Sequence, residues 1–498
     1  MRQHRQFWVG FFWSLLSLGC VVALPDRTRG DTLHHSSRVL NSPEEQFKYG
    51  SVGAEKAEGI PYWIWRVLPS VCAAHLPGGY ESLGVFREDG EDLPVGFSVQ
   101  TVPISTDQIC LSWLPSVDLP FGSVSAVGIN CALCHTATYR TKAEEKPRLV
   151  LGGPAHQFNA QGYLKFLFEC ASGDAFTHDR IVAAIEKEAK VKMSMTEKIL
   201  YRVLVPLTQC KIRQQKEQFG FMEKQVAWGP GRLDAVDAIK SKLLGIDPQG
   251  TVGITDMPAV WQLNPVHAHH WDGNNGDLEA TIREEALATG ATKRGLPKLD
   301  PALTALREFL QQLPPPSYPK EFPPVNEQLK AQGAVIFNAH CARCHGGTDG
   351  RATDVGKVLK LTEVNTDSHR LDSWTADASE ETHKLTGEKA SRKTDGYINV
   401  ALNGIWLRAP YLHNGSVPTL HDLLSPAHAR PPTFHRGYDV YDPEQLGFVH
   451  KGPEAEKVGV LYDTTQPGNS NQGHDGPGFG TDLSEEDKTA LLEYLKTL

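Results

Sequence analysis

The fold of this chain is decided by two short stretches, Cys131-Ala132-Leu133-Cys134-His135 and Cys341-Ala342-Arg343-Cys344-His345. In each of them two cysteines stand three positions apart and a histidine follows directly, which is the pattern that attaches c-type haem. One helical turn separates the two thiols, so both can bond the vinyl groups of one porphyrin while the histidine ligates its iron. We therefore expect two covalently attached haem c groups, one on each stretch.

Two other uses of paired cysteines fit this pattern less well. A zinc ribbon needs both cysteine pairs to close a single tetrahedral site, whereas a histidine after each pair indicates two separate cofactors. A thioredoxin-like redox pair needs a different structural context.

The length and composition indicate a folded chain with a substantial core. It has 498 residues, of which 40% are hydrophobic and 22% charged, enough for two or three domains. The formal net charge is -9 at pH 7, and lysine and arginine form no continuous basic run. These features argue against nucleic acid as a partner.

The N-terminus is typical of an exported protein. Arg2 and Arg5 precede an uncharged apolar run over residues 7–24, the layout of a secretory signal peptide. Residues 1–24 are thus predicted to be a signal peptide or, if uncleaved, an N-terminal membrane anchor, and the protein to be periplasmic or secreted. An oxidising compartment would let the four cysteines outside the leader and the haem motifs form two disulfides of open connectivity: Cys72, Cys110, Cys170 and Cys210.

The second half reads as a small cytochrome c domain over residues 326–498. An apolar segment, residues 333–337, leads into Cys341, and Ser484 caps a closing helix at the C-terminus. One face of that helix is apolar and can pack on the lead-in segment over the haem edge; it carries Leu491, Tyr494, Leu495 and Leu498.

The first half repeats the closing element, with a helix that begins at Asp300 and ends near Leu313. We therefore predict an N-terminal haem domain over residues 45–313 and a stiff Pro-rich linker over residues 314–325. The fold class expected is mainly α, with two cytochrome c-like haem domains in tandem. The N-terminal domain is enlarged by extra helices and loops, including amphipathic stretches at residues 178–190 and 196–217.

Several segments resemble a known family. Asp256-Met257-Pro258-Ala259-Val260-Trp261 and His270-Trp271-Asp272-Gly273-Asn274 resemble the distal segment of bacterial dihaem cytochrome c peroxidases. The stretch Arg408-Ala409-Pro410-Tyr411-Leu412-His413-Asn414-Gly415-Ser416 is similar to their APYxH[DN]GS signature. Within that superfamily, three further segments are most similar to the dihaem rubber oxygenase group: residues 59–65, 437–441 and 468–471.

The resemblance implies a second ligand for the C-terminal haem. His474 stands where the peroxidases place a methionine, so this haem would be ligated by His345 and His474, with a lowered reduction potential. His413 is the competing candidate. His156 is a candidate second ligand for the N-terminal haem, although an ordinary loop histidine is the alternative.

The resemblance also implies a catalytic N-terminal haem on His135. Glu279 falls at the position of the distal acid-base glutamate, and a carboxylate there can move a proton between the two oxygens of a peroxide. His269 replaces a usual glutamine, so it could assist Glu279, compete with it or ligate the iron. Trp261 and Trp271 are candidates for electron conduction between the haems, core packing being the alternative. Some relatives hold a calcium ion between the domains.

Three functions remain open on the sequence. The first is a peroxidase-like oxidoreductase that reduces peroxide or activates dioxygen, with electrons from a small redox protein or a quinol-linked donor. The second is oxidative cleavage of polyisoprene or another apolar polymer. The third is a non-catalytic electron-transfer cytochrome.

Overall fold

The computed structural model describes residues 38–105, 118–248, 250–346 and 354–498. The predicted leader and Cys110 lie outside these ranges. The helices before residue 314 are α1 (Pro43–Tyr49), α2 (Ala54–Ala57), α3 (Tyr62–Val71), α4 (Ala160–Ser172), α5 (His178–Ala189), α6 (Met195–Gln218), α7 (Ala235–Ile239), α8 (Leu278–Thr289) and α9 (Leu296–Gln312). The strands of this half are β1 (Ile60–Pro61), β2 (Phe97–Ser105), β3 (Asp118–Ile129), β4 (Thr136–Tyr139), β5 (Arg148–Leu151), β6 (Arg232–Leu233) and β7 (Thr255–Asp256).

The second half contributes shorter elements. Its helices are α10 (Glu327–His340), α11 (Ala342–His345), α12 (Leu361–Val364), α13 (His369–Ser373), α14 (Ala376–Thr386), α15 (Leu420–Leu423), α16 (Pro453–Val458) and α17 (Glu485–Leu495). Its strands are β8 (Val358–Lys360), β9 (Gly396–Ile398), β10 (Thr433–Arg436), β11 (Tyr441–Asp442), β12 (Gly447–Phe448) and β13 (Val460–Asp463). No helix in the described ranges is both long and apolar enough to cross a membrane.

A sheet precedes the N-terminal motif, whereas a helix precedes the C-terminal motif. The strands β1, β3 and β2 pair in that order, antiparallel, with Val127 of β3 opposite both Ile60 and Val99. The side chain of Asn130, next to the motif, donates to the carbonyl of Gly50 at the end of α1, at 2.9 Å. The end of α1 thus lies beside the motif although 80 residues separate them. The sequence predicted added helices and loops here and missed this sheet.

The N-terminal half contains the predicted amphipathic helices and a disulfide between two other helices. Helices α5 and α6 match the predicted amphipathic stretches closely. Cys72, at the end of α3, is bonded to Cys170 of α4, with 5.6 Å between their Cα atoms. This settles one pair of the connectivity that the sequence left open. Cys210 is also disulfide-bonded.

Helix α10 leads directly into Cys341 and crosses α17 closely. A Cβ atom on Gly333 would lie 2.0 Å from the carbonyl oxygen of Ala490, so glycine allows this approach. The rings of Phe337 and Tyr494 are 5.1 Å apart across the crossing. Val335, expected in the apolar lead-in, is instead 70% exposed.

The first half contains a comparable aromatic contact between α1 and its closing helix α9. Phe47 of α1 and Phe309 of α9 have ring centroids 5.6 Å apart. Helix α9 begins at Leu296, four residues before the predicted start at Asp300, and includes Pro301.

The described residues fall in one compact unit, and a core cluster draws on both halves. Tyr139 meets Trp406 edge-on at 5.5 Å between ring centroids. The Pro-rich segment packs on this cluster: Trp406 donates to the carbonyl of Pro316 at 2.9 Å, and Phe322 stacks on Tyr441. Packing contacts therefore hold the segment against the core, while its polyproline stiffness and the division into domains near residue 313 stay predictions.

Candidate haem sites

The N-terminal motif forms a tight turn that aims its histidine at a backbone carbonyl. Asn130 starts the turn by accepting the amide N–H of Ala132 at 3.0 Å. Because a carbonyl can only accept, the 2.8 Å contact between His135 Nδ1 and the Pro258 oxygen makes Nδ1 the donor. Burial lowers the pKa of His135, so the ring is neutral and its Nε2 carries a lone pair. Metal-ligating histidines are typically held in this way.

The two thiols of this motif lie in a recess. Burial raises the pKa of Cys131 and of Cys134 to about 12, although both residues are only half-buried. A group in a deep recess can lose solvation and still be accessible to a ligand. Two protonated thiols beside a neutral imidazole are the donors that fit a covalently attached haem.

The C-terminal motif repeats this arrangement on α11. His345 Nδ1 donates to the carbonyl of Val400 at 3.3 Å, and burial lowers the pKa of His345. Asn399 fixes the turn by donating its side-chain amide to the carbonyl of Cys344 at 2.5 Å. Burial raises the pKa of Cys341 to about 12. The same donor set fits a second haem c.

The structure brings His474 towards His345. Burial, and next the charge of His345, lower the pKa of His474 to about 3, which requires the two rings to be near each other. The Nδ1 atom of His474 is buried without a hydrogen-bond partner among the described residues. His474 has φ +50°, a conformation uncommon outside glycine, and Arg430 donates to its carbonyl at 2.9 Å. An unpaired ring nitrogen on a constrained backbone fits an iron ligand.

The competing histidines occupy other environments. His413 is buried and stacks on Tyr397 with ring centroids 4.1 Å apart. His156 stacks on Phe448 at 3.7 Å, and its Nε2 is buried without a partner in the described part of the chain. The structure thus places His474, rather than His413, beside His345.

A carboxylate that the sequence did not single out faces the N-terminal motif. The charge of Glu285 contributes to the pKa values of Cys131, Cys134 and His135, which places it near all three. Glu285 accepts from His270 Nε2 at 3.0 Å. Glu285 and His270 therefore form an ion pair near the N-terminal motif.

His270 is held as a cation between two acceptors. Its Nδ1 donates to the side-chain oxygen of Asn274 at 2.6 Å while its Nε2 donates to Glu285. Burial lowers the pKa of His270, but the hydrogen bond and the charge of Glu285 outweigh it and raise that pKa to about 9. Burial raises the pKa of Glu285, and the bond to His270 reverses this so that the net direction is downward. His270 also has a positive φ, +63°.

Glu279 does not lie in this site. Its carboxylate is 53% exposed and accepts from Arg307 at 2.9 Å, with Arg283 at 3.3 Å. Glu285 stands six residues further along α8, about 240° around the helix axis, and therefore points elsewhere. The structure therefore does not bring Glu279 to the N-terminal motif, and the α8 carboxylate whose charge acts on His135 is Glu285. An acid-base role at this position stays a prediction.

His269 is buried next to this pair. It is 8% exposed, and its Nε2 has no partner among the described residues. Burial, and next the charges of His270 and His267, lower the pKa of His269 to about 4. The ring is therefore neutral, and assistance to the pair and iron ligation both stay open for it.

A series of hydrogen bonds starts at His135, the histidine of the N-terminal motif. Pro258 accepts from His135, and two residues earlier the carbonyl of Asp256 accepts from the indole Nε1 of Trp271 at 2.7 Å. Trp271 is partly buried. Its own carbonyl accepts the next hydrogen bond of the series.

The series of hydrogen bonds continues to His345, the histidine of the C-terminal motif. The Trp271 carbonyl accepts the amide N–H of Ile398 at 2.8 Å, and two residues later Val400 accepts from His345. Trp271 therefore stands between the two motifs. Trp261 is a core residue that donates to the carbonyl of Leu151 at 2.7 Å and packs in the cluster shared by both halves.

No three His, Cys, Asp or Glu side chains are grouped as a metal site within the described ranges. This does not test the calcium ion that some relatives hold, because calcium also accepts backbone carbonyl ligands.

Comparison with known proteins gives two relatives and one family model. The chain is similar to two proteins of Sinorhizobium fredii (strain NBRC 101917 / NGR234), both titled uncharacterized: y4iJ, 27% identical over 525 aligned positions and 84% of each chain, and y4iM, 29% identical over 290 positions. The second match covers 49% of this chain and 64% of y4iM.

Residues 396–435, which include Val400 and His413, match the model of the family described as RoxA-like, cytochrome c-like. This segment is therefore cytochrome c-like, which implies haem c as cofactor and a cytochrome c-type oxidoreductase as the class of protein.

Proposed function

We propose that this chain is an exported dihaem c-type cytochrome oxidoreductase. The C-terminal motif holds an electron-transfer haem, and the N-terminal motif holds the haem at which peroxide or dioxygen reacts. A haem supplies one-electron chemistry when both axial positions are ligated, and oxidant chemistry when one is open. The observation that carries the proposal is an asymmetry between the two sites.

The asymmetry lies in what stands near each haem histidine. Near His345 stands a second imidazole, His474, with an unpaired ring nitrogen. Near His135 stands the ion pair of Glu285 with His270, and a carboxylate engaged by a cation is a poor competitor for iron. One site is thus suited to two axial ligands and the other to an open position beside proton-transfer groups.

The ion pair can handle the protons of oxidant reduction. Reduction of a peroxide needs a proton moved from one oxygen to the other, and Glu285 as a carboxylate can accept it. His270, which is protonated at neutral pH, can supply a proton and holds the carboxylate in place. Asn274 fixes the orientation of the imidazole from its other nitrogen.

Electrons would enter at the C-terminal haem and cross to the N-terminal one through the hydrogen-bonded run that contains Trp271. The donor would be a small redox protein or a quinol-linked donor. The disulfide between Cys72 and Cys170 supports an oxidising compartment, and hence a periplasmic or secreted location.

A second candidate is an oxygenase that cleaves polyisoprene or another apolar polymer. The match of residues 396–435 to a RoxA-like family favours it. This function predicts oxygen uptake with latex and no added reductant, whereas the first predicts peroxide consumption that depends on a reductant.

The test is a pair of matched substitutions on one helix. Glu285→Gln should lower turnover with the active oxidant about 100-fold or more, the usual contribution of a positioned acid-base group. Glu279→Gln, the same change at a surface position of α8, should leave turnover within twofold, a margin of about 0.4 kcal/mol. Equal turnover in both variants and the wild type would contradict the role of Glu285. Two six-coordinate irons and no turnover with either oxidant would leave an electron-transfer cytochrome.

A further inference from the structure

A buried arginine in β6 has hydrogen-bond donors that the protein does not satisfy. Arg232 is 0% exposed, and its Nη2 donates to the side-chain oxygen of Asn469 at 2.8 Å. Its Nε and Nη1 atoms are buried without a partner among the described residues. The guanidinium carbon lies 4.8 Å from the ring centroid of Tyr462. A buried charged group with unmade hydrogen bonds is costly, so this arrangement calls for a further partner.

The nearest carboxylates are already engaged. Asp256 forms an ion pair with Arg436, which also donates to the carbonyl of Gly415 at 2.6 Å. Asp367 accepts from the ring of His369 at 2.9 Å. Arg232 bonds neither carboxylate, although the charges of both Asp256 and Asp367 act on it. Its Nε and Nη1 lack an acceptor among the described residues, and an anionic acceptor makes the strongest hydrogen bonds to a buried guanidinium.

The partner must become buried beside Arg232 while the chain folds. Because Arg232 has no exposed surface, a free anion has no open route to it. A group tethered to the polypeptide can instead be enclosed as the chain folds around it. In c-type cytochromes the tethered group is the haem, and its acidic groups are carboxylates.

The location of Arg232 agrees with this source. In the antiparallel pairing of β6 with β7, Arg232 stands opposite Asp256. The carbonyl of Asp256 accepts from Trp271, and Pro258, two residues on, accepts from His135. Arg232 is therefore beside the backbone that connects the two haem motifs.

We propose that the guanidinium of Arg232 binds a propionate carboxylate of a covalently attached haem. The inference rests on the proposed function only in requiring haem at these motifs. Arginine suits this task because it stays charged when buried and offers several N–H donors in one plane. Arg232 would then be a positioning residue that also sets the reduction potential through its charge.

The sign of the effect follows from electrostatics. A cation near a haem disfavours the ferric form, which carries one more positive charge than the ferrous form. Replacing Arg232 by a neutral residue leaves the carboxylate uncompensated and favours ferric iron further. The reduction potential of the contacted haem should therefore fall.

The test compares three variants by redox titration and by redox-difference infrared spectroscopy. Arg232→Gln should lower the potential of at least one haem and shift a carboxylate band, and Arg232→Lys, which keeps the charge, should lower it less. Arg140→Gln is the matched control, because Arg140 is largely buried but fully paired, with Asp439 at 2.7 Å. It should leave both potentials at the wild-type values.

The contrary outcome is equally defined. If ordered water alone satisfies Arg232, the potentials and the carboxylate bands of Arg232→Gln match those of the wild type, and the proposal is overturned. If Arg232→Gln does not fold, the carboxylate band of Arg232→Lys decides, since exchanging a planar guanidinium for an ammonium must shift a directly bonded carboxylate. The mass of each sample counts its haems, so a failure of haem attachment is distinguished from a failure of the Arg232 contact.

Discussion

The indole Nε1 of Trp271 donates to the carbonyl oxygen of Asp256 at 2.7 Å. Two residues beyond Asp256, Pro258 accepts from His135, and the Trp271 carbonyl accepts from the strand that continues to Val400 and His345. Because His135 and His345 are each anchored at one end of this run, a single tryptophan connects the two motifs through four hydrogen bonds and two three-residue stretches of backbone. Electron transfer between the haems depends on this connection in our account.

Trp271→Phe should slow electron transfer between the haems severalfold, because it removes the indole N–H and leaves the Asp256 carbonyl unpaired. The lost hydrogen bond should also lower the free energy of unfolding by about 1 kcal/mol. Stopped-flow oxidation of the fully reduced protein measures the rate. Trp261→Phe is the control: it should destabilise the shared core and leave the rate unchanged. Equal rates in the wild type and Trp271→Phe would remove Trp271 from the pathway.

His474→Met should raise the reduction potential of the C-terminal haem by on the order of 0.1 V, because a thioether ligand favours ferrous iron more than an imidazole does. Potentiometric titration measures it. His413→Met should leave that potential unchanged while lowering stability, since His413 stacks on Tyr397. A change of potential in His413→Met alone would assign the ligand to His413.

Stability should fall at alkaline pH through His270. Its pKa is raised from 6.5 to about 9 in the folded protein, so its contribution is complete below about pH 6.5 and is lost as the pH rises through about 9. The contribution is on the order of 3 kcal/mol. Urea unfolding between pH 6 and 10, at about 25 °C, measures it, and His270→Gln should lack this dependence. A wild type and a variant with parallel pH profiles would show that the ion pair does not form.

Removing the Cys72–Cys170 disulfide should destabilise the packing of α3 against α4. The Cys72–Cys170 bond closes a separation of 98 residues, and a loop of that length is worth about 4.7 kcal/mol in chain entropy. The double variant Cys72→Ser/Cys170→Ser should therefore melt well below the wild type without added reductant. Unchanged melting temperatures would mean that the bond does not form in the native protein.

Gly333→Ala should weaken the crossing of α10 with α17 by about 2–3 kcal/mol, because the new methyl group would meet the Ala490 carbonyl. Gly220→Ala is the control, since nothing lies within 4 Å of a Cβ atom at that position. Chemical denaturation of both variants measures the difference, and equal destabilisation would contradict the close crossing.

The parts of the site that follow from local covalent spacing were readable from the sequence. The two motifs fix which cysteines and histidines stand together, and the family resemblance pointed to His474, which the structure brings towards His345. The position of Glu285 could not be predicted, because which carboxylate of α8 comes near the N-terminal motif depends on the rotation of that helix about its axis, which tertiary packing sets. The sheet between α1 and Cys131 was missed for a similar reason: its pairings join residues far apart in sequence.

The most direct test of the central claim is the carbon monoxide difference spectrum of the reduced protein, on material whose mass shows two haem adducts. The account predicts that the spectrum of one haem shifts, because His135 leaves one axial position open while His345 and His474 occupy both at the other haem. In the variant His474→Gly, the spectrum of the C-terminal haem should also shift with carbon monoxide. A wild-type protein in which neither haem shifts, or in which both do, would contradict the division into a catalytic and an electron-transfer site.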